Sequence, residues 1–130
     1  SVLIASGDTL IAARDPDGLR PLCIGHTEAG AWVAASETCA LDIVGATFDR
    51  DLKPGELWAI SQTASHQPVC FQWVKPEPPE GSVSNTTSED RLCIFELVYF
   101  ARPDSQVNHQ SVYNYRLALG KRLAETSPPI

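Results

Sequence analysis

The side chains that could carry chemistry in this 130-residue sequence are few and scattered. Ser1 places a hydroxyl beside a free α-amine, the arrangement in which a first residue attacks and its own amine serves as base. Four cysteines, Cys23, Cys39, Cys70 and Cys93, are unevenly spaced, and no CxxC pair occurs. That spacing argues against a self-contained zinc site. Cys23, Cys39 and Cys70 read as buried free thiols, packing as small hydrophobes. Four cysteines also allow three disulfide pairings, but such frameworks belong to small secreted chains. His26, His66 and His109 lie far apart, with no short spacing to gather a metal. Asp15 with Asp17, and Asp49 with Asp51, alternate around turns, where carboxylates bond local amides or solvent. No acidic pair follows an apolar strand, and neither a GxxxxGK phosphate loop nor an Asn-Gly pair is present. Asn85-Thr86-Thr87 has the form of a glycosylation sequon, but no secretory signal accompanies it.

The stretch that organises the chain is Cys93 to Ser105, CIFELVYFARPDS. An apolar, aromatic run carries a single acid, Glu96, and then meets Arg102-Pro103-Asp104-Ser105. Proline fixes its own φ and disfavours helix at Arg102, while Asp104 or Ser105 can accept from the next backbone amides. A buried element thus ends in a rigid polar exit, as a chain needs when leaving one domain for another. Arg102 and Asp104 could pair across this turn, and Cys93 reads as a core thiol beside Phe95.

The elements that must position these residues are short. Val2 to Ala5 and Thr9 to Ala13, separated by Ser6-Gly7-Asp8, have the grammar of a β-hairpin. Asp15 to Pro21 is a loop in which Gly18 supplies a positive φ; Leu22 to Gly25 and Ala31 to Ala35 are extended. Ser36 is expected to cap a helix with Glu37 in its first turn, Ala40, Leu41 and Val44 on one apolar face, and Gly45 as its stop. Thr47 to Leu52 alternates as a half-buried strand. Lys53-Pro54-Gly55-Glu56 fits a type II turn, after which Leu57 to Ile60 and Val69 to Val74 read as partner strands. Residues 75–91, rich in Pro, Gly, Ser and Thr, are expected to form a flexible loop. Leu92 to Ala101 is too short for periodicity to choose between strand and helix. Ser111 to Glu125 is the clearest helix, with Val112, Tyr115, Leu119 and Leu123 at helical spacing. Many short strands with few helices give an α+β fold.

The balance of residues closes off other classes. A hydrophobic content of 43% with 20% charged residues is that of a globular protein. A net charge of −6 argues against a nucleic-acid partner, which calls for a basic face. No apolar run reaches the roughly 20 residues needed to cross a membrane, which points to a soluble, cytoplasmic protein.

CIFELVYFARPDS and the following SVYNYRLALGKRLAE closely resemble the segment of the amidophosphoribosyltransferase family that closes its glutaminase domain and leads into its phosphoribosyltransferase domain. Three upstream stretches resemble the same family in the same order: ARDPDGLRPLCIG, ASETCALDIVGA and RDLKPGEL. Other glutaminases of the same type, such as glucosamine-phosphate synthase or asparagine synthetase, share a motif like ARDPDGLRPL but none like FELVYFARPDS. A non-catalytic module that kept the scaffold as a binding surface is the alternative outside enzymes.

The resemblance implies part of an N-terminal nucleophile hydrolase αββα sandwich over residues 1–105, with residues 106–130 forming an inter-domain helix and the start of the next domain. The activity it implies is the synthesis of phosphoribosylamine from glutamine and phosphoribosyl pyrophosphate, the first committed step of purine synthesis, with Mg²⁺ at the phosphates. The family nucleophile is a cysteine lying upstream of this window, so the resemblance argues against catalysis by Ser1. It leaves both active sites outside the chain. In cluster-bearing members, the cysteine at the Cys93 position is one of four thiolates on a [4Fe–4S] centre. Arg102, Asp104, Tyr113 and Arg116 become inter-domain or ammonia-channel candidates, and a homo-oligomer is expected. The chain has no methionine, begins within an apolar run and stops soon after a helical pattern. With the resemblance, these features lead to the expectation of a fragment whose apolar face, built from Leu3, Ile11, Leu22, Val33 and Leu57, lies open.

Overall fold

A computed structural model describes residues 1–61, 67–74 and 91–128. The expected loop 75–91, except Arg91, lies outside the described residues, as do the sequon and His66. The described chain is built on two antiparallel sheets. The first has the order β1-β2-β6-β7, from Val2–Ser6, Thr9–Ala13, Glu56–Ser61 and Val69–Gln72. The second has the order β4-β3-β5, from Trp32–Ala35, Cys23–Thr27 and Ala46–Asp51. The hairpin, the turn before Leu57 and the pairing of β6 with β7 follow the sequence expectation. At that turn the Glu56 amide donates to the Lys53 carbonyl at 3.0 Å, and Gly55 has φ +69°.

The sheets meet through Ala12, Leu22, Ile24, Leu52 and Trp58, with Trp32 of the second sheet tilted onto Trp58 of the first at 5.6 Å. Close approach is enforced at Gly25, where β3 and β5 shift register. A Cβ there would run into the Thr47 carbonyl oxygen and crowd Leu41. Cys23, Leu41 and Ala46 form a second small core between the three-stranded sheet and α1, Thr38–Ile43.

That helix departs from expectation at its start. Glu37, not Ser36, holds the cap position, in extended geometry, and its side chain makes no capping bond to its own helix. The carboxylate is engaged elsewhere, so the local capping rule loses to a distant partner. Val44 is 53% exposed, because a helix of six residues ends before its last apolar residue can turn inward.

Within Leu92 to Ala101, residues 94–100 are helical, but not as an ordinary α-helix. Ile94 and Phe95 begin a turn that widens into a π-helix over Glu96–Phe100, closed by the Ala101 amide donating five residues back to Glu96 at 2.9 Å. Widening buries Glu96 and Leu97 together and leaves Val98, Tyr99 and Phe100 outside. Ala101 then turns extended, and Pro103 keeps Arg102 from resuming the helix. A ribbon unforeseen in the sequence follows: β8, Gln106–Val107, pairs with β9, Gln110–Ser111. Its two-residue turn puts Asn108 and His109 at positive φ; the usual sequence cue there is Asn-Gly, so His109 hides it. Ser111 caps α2, Val112–Thr126, by accepting from the Asn114 amide. Val112 is buried, while Leu119 and Leu123 stay exposed.

The open apolar face is real but differently composed. Strand register aligns Val2, Ala13, Leu57 and Phe71 in one row and Ile4, Ile11, Ala59 and Val69 in the next, all on the side of the first sheet away from Trp58. Val2, Ile4, Val69 and Phe71 are exposed there. Leu22, expected in that face, is buried between the sheets, and Val33 packs against the Cys23 cluster. Leu3 is exposed, but its partner Ala12 puts it on the inner side. Alternation within a strand is legible in sequence, whereas parity between strands is set by register. A contiguous apolar sheet face drives association. The isolated chain is therefore expected to sediment as oligomers or aggregates, and a paired Ile4→Lys and Phe71→Lys substitution to shift it toward monomer. A wild-type chain that runs as a sharp monomer with cooperative melting would contradict this.

Candidate functional site

The loop between β2 and β3 is built around a buried guanidinium. Arg14 donates from Nε to the Arg20 carbonyl at 3.1 Å, from Nη1 to the Leu52 carbonyl at 2.6 Å, and from Nη2 to the Gly18 carbonyl at 3.1 Å. Its own amide donates to the Glu56 carbonyl at 2.9 Å. A rigid, planar fork of donors serves several diverging carbonyls in one fixed geometry. Gly18, at φ +66°, turns the chain back toward the guanidinium. Asp15 is turn-bonded as expected, accepting from the Leu19 amide at 3.0 Å. Burial works against its charge, but the Leu19 and Arg20 amides outweigh that and hold its carboxyl below the ordinary value. Asp17 pairs with Arg91 at 2.8 Å.

From the same loop Arg20 reaches the π-helix. Its Nη1 lies 2.8 Å from Glu96 Oε2, and its guanidinium sits 4.6 Å from the centre of the Phe100 ring. Glu96 is 2% exposed. Desolvation pushes its carboxyl above the ordinary range; Arg20 partly offsets this, and Glu37 adds to the upward push. On the other side of the π-helix, Arg116 donates to the Leu97 carbonyl at 2.9 Å and the Ala101 carbonyl at 2.7 Å. Arg116 thus ties α2 to the end of the π-helix, where carbonyls lack helical partners.

A third anchor closes the exit turn. Glu37 Oε2 accepts from the Arg102 amide at 2.7 Å and from Ser105 Oγ at 2.9 Å, while Thr38 Oγ1 accepts from the Gln106 amide at 2.9 Å. Arg102 and Asp104 do pair, through bonds of 3.1 and 2.8 Å, and the guanidinium holds the exposed Asp104 carboxyl below its usual value. The Val112 amide donates to the Ser105 carbonyl and the Tyr113 amide to the Pro103 carbonyl, both at 3.1 Å, so the turn is continuous with α2.

The remaining candidates are not gathered together. Ser1 Oγ donates to the Arg20 carbonyl at 2.9 Å, and its amine lies 3.9 Å from Asp15. Cys23 is buried, with its thiol pushed up to about 12 by burial and then by Asp51. Cys39 is buried as expected, whereas Cys70 is exposed on the edge strand β7, 3.4 Å from Arg50. Cys93 is half-buried, its amide bonded to the Leu19 carbonyl, and neighbouring Phe95 is exposed rather than core. Tyr113 is exposed at the start of α2. His109 lines a cavity of about 140 Å³ with Thr38, Asp42, Phe48, Asp51, Asp104 and Gln106. Among the described residues no three His, Cys, Asp or Glu side chains come close enough to hold a metal, and no helix is long and apolar enough to cross a membrane. Sequence reading missed Arg14, Arg20 and Glu37. A lone Glu at a helix start and two arginines in a loop carry no periodic signal; only their position inside quoted motifs marked them.

No protein-family model matches the chain. The amidophosphoribosyltransferase of Synechocystis is 43% identical over 133 residues, covering 98% of this chain and 23% of the relative. A solved structure of the glutamine phosphoribosylpyrophosphate amidotransferase of B. subtilis, complexed with ADP and GMP, superposes with a TM-score of 0.77 at 37% identity, covering 98% of this chain and 25% of that one. A second, described as the allosteric regulatory enzyme of purine biosynthesis, gives 0.78 at 37% identity, with 98% and 24% coverage. Nearly the whole chain is thus similar to one stretch of the amidophosphoribosyltransferases. It spans about a quarter of the length of the relatives it matches. The mixed fold with antiparallel sheets is that of an amidophosphoribosyltransferase N-terminal nucleophile region followed by a helix. The amidophosphoribosyltransferase motifs also meet in space. Arg20, of the RDPDGLRP loop, grips Glu96 of FELVYF, and Glu37 of SETCAL grips Arg102 and Ser105 of ARPDS.

Removing Arg20 would strand a buried carboxylate, and an unpaired buried acceptor costs about 1–3 kcal/mol. Arg20→Ala, made in the monomerised background above, is expected to lower unfolding free energy by about that much at neutral pH. Glu96 titrates above its ordinary value when folded, so its penalty applies above that raised value and fades as pH falls through it. Urea unfolding across this range should show the deficit shrinking on acidification; a deficit that does not change with pH would contradict the pairing.

Proposed function

We propose that this chain is the C-terminal part of a glutaminase domain, residues 1–105, followed over residues 106–130 by the inter-domain helix and the start of a phosphoribosyltransferase domain. The longer enzyme it serves makes phosphoribosylamine from glutamine and phosphoribosyl pyrophosphate. The observation that carries this reading is the likeness over 98% of the chain joined to the way the exit turn is fastened to the sheets.

In that enzyme the two sheets supply half the shell around a glutamine site whose nucleophile lies outside this chain. Arg14 and Arg20 hold the loop between the sheets and brace the π-helix against it. Arg102 and Asp104 lock the exit turn, Arg116 ties α2 to the π-helix, and Tyr113 is exposed at the start of α2. Arg102, Asp104, Tyr113 and Arg116 are therefore proposed as inter-domain positions, with the ammonia route passing near Tyr113. Mg²⁺, when bound, would neutralise the phosphates of the ribosyl donor. An iron–sulfur cluster needs four thiolates, and this chain offers Cys93 as one; Cys23 and Cys39 are committed to the core and Cys70 lies on the far edge strand. A cytoplasmic homo-oligomer completes the reading.

The test is to assay the longer polypeptide containing this chain for glutamate release and for pyrophosphate release from phosphoribosyl pyrophosphate, beside the 130-residue chain alone. Both activities are expected in the former and neither in the latter. Glutamine hydrolysis by the 130-residue chain, or a longer polypeptide that makes no phosphoribosylamine from either glutamine or ammonia, would overturn the proposal.

A further inference from the structure

Glu37 fastens the exit turn, but the reading above gives its carboxylate no part in function. It stands at the cap of α1, but its side chain caps no backbone amide of that helix. Instead one oxygen, Oε2, accepts from the Arg102 amide at 2.7 Å, from the buried Ser105 hydroxyl at 2.9 Å and, more weakly, from the Cys39 thiol at 3.7 Å. The two strong partners stand at the ends of the Arg102–Ser105 turn, which is itself closed by the Ser105 amide donating to the Arg102 carbonyl at 3.0 Å. Next to it, Thr38 Oγ1 receives the Gln106 amide at 2.9 Å. Residues 65 and more positions apart are joined here by side-chain bonds, and the joined turn leads without a break into α2.

Local chemistry does not require this arrangement. The turn is already closed by its own backbone bond and by the Arg102–Asp104 pair. What Glu37 adds is a fixed placement of the turn against the three-stranded sheet, through α1. Bonds to a charged acceptor are the stronger kind, and fixing both ends of a rigid turn removes its freedom to rock. Arg116 secures the other side of α2 to the π-helix, but it holds only the carbonyls of Leu97 and Ala101, with no bond to the sheet itself.

We propose that Glu37 is a positioning residue: its carboxylate sets the direction in which α2 leaves the glutaminase shell and thereby the alignment between ammonia release and ammonia use. This rests on the function proposed above. Small misplacements of reacting parts cost rate steeply, so a loosened exit is expected to spoil transfer between sites before it spoils either site.

The experiment uses the longer polypeptide, as wild type, Glu37→Ala and Glu37→Gln. Amide hydrogen exchange is read at Arg102 and Gln106, and phosphoribosylamine formed is compared with glutamate released. Glu37→Ala is expected to speed exchange at Arg102 roughly tenfold. It should also lower the product-to-glutamate ratio severalfold while leaving the ammonia-driven rate within about twofold. Glu37→Gln keeps an oxygen acceptor of the same reach and is expected to restore most of the ratio. An unchanged ratio in Glu37→Ala, or glutamate release and the ammonia-driven rate falling in parallel with the melting temperature, would overturn the positioning role. If the wild type makes no phosphoribosylamine, the functional reading fails. The exchange data then still decide the clasp, and unchanged Arg102 exchange in Glu37→Ala would overturn it.

Discussion

Everything in this chain is arranged around the buried guanidinium of Arg14. It lies just past the end of β2 in one sheet and spends its donors on the carbonyls of Gly18, Arg20 and Leu52, the last lying just past β5 in the other sheet. Burying a cation is costly unless its donors are met, and here backbone carbonyls meet them. The consequence is geometric. Both sheets and the loop between them share one fixed point, and the apolar pairing of Trp58 with Trp32 is assembled around it.

From that point the constraint passes outward by charge. Arg20, whose carbonyl Arg14 holds, turns its own guanidinium to Glu96 and Phe100. The π-helix is what makes Glu96 available. Five-residue spacing closes at Ala101 and puts Glu96 and Leu97 on the inner side together. A rare helix type at a junction is a recurring sign of function. Here its effect can be stated directly: an acid is buried within reach of the loop while Val98, Tyr99 and Phe100 are presented outward. Arg50 and Glu56 form a similar strut nearer the sheets. Desolvation alone would raise the Glu56 carboxyl, but Arg50 and the Lys53 amide hold it below its ordinary value.

Much of this scaffold could be read from the sequence. The hairpin at Ser6-Gly7-Asp8, the turn at Pro54-Gly55 and the helix beginning at Ser111 each rest on chemistry confined to neighbouring residues, and each lies where it was expected. Where sequence reading fell short, the cause was distant. Ser36 lost its capping role because Glu37 stands at the cap position, its carboxylate drawn to a turn 65 residues away. Leu22 was assigned to the wrong surface because register between strands, not alternation within one, decides which rows coincide. Cys70 was expected inside and lies on an edge strand, since nothing local says which strand of a sheet is last. The motifs were legible as words; the bonds between them were not.

The direct test of Arg14 as the shared fixed point is amide hydrogen exchange on Arg14→Lys, which keeps the charge but loses the fork. Protection should fall in β2 and β6 of the first sheet and equally in β3 and β5 of the second. Loss of protection confined to the loop and the first sheet, with the second sheet unchanged, would contradict the account.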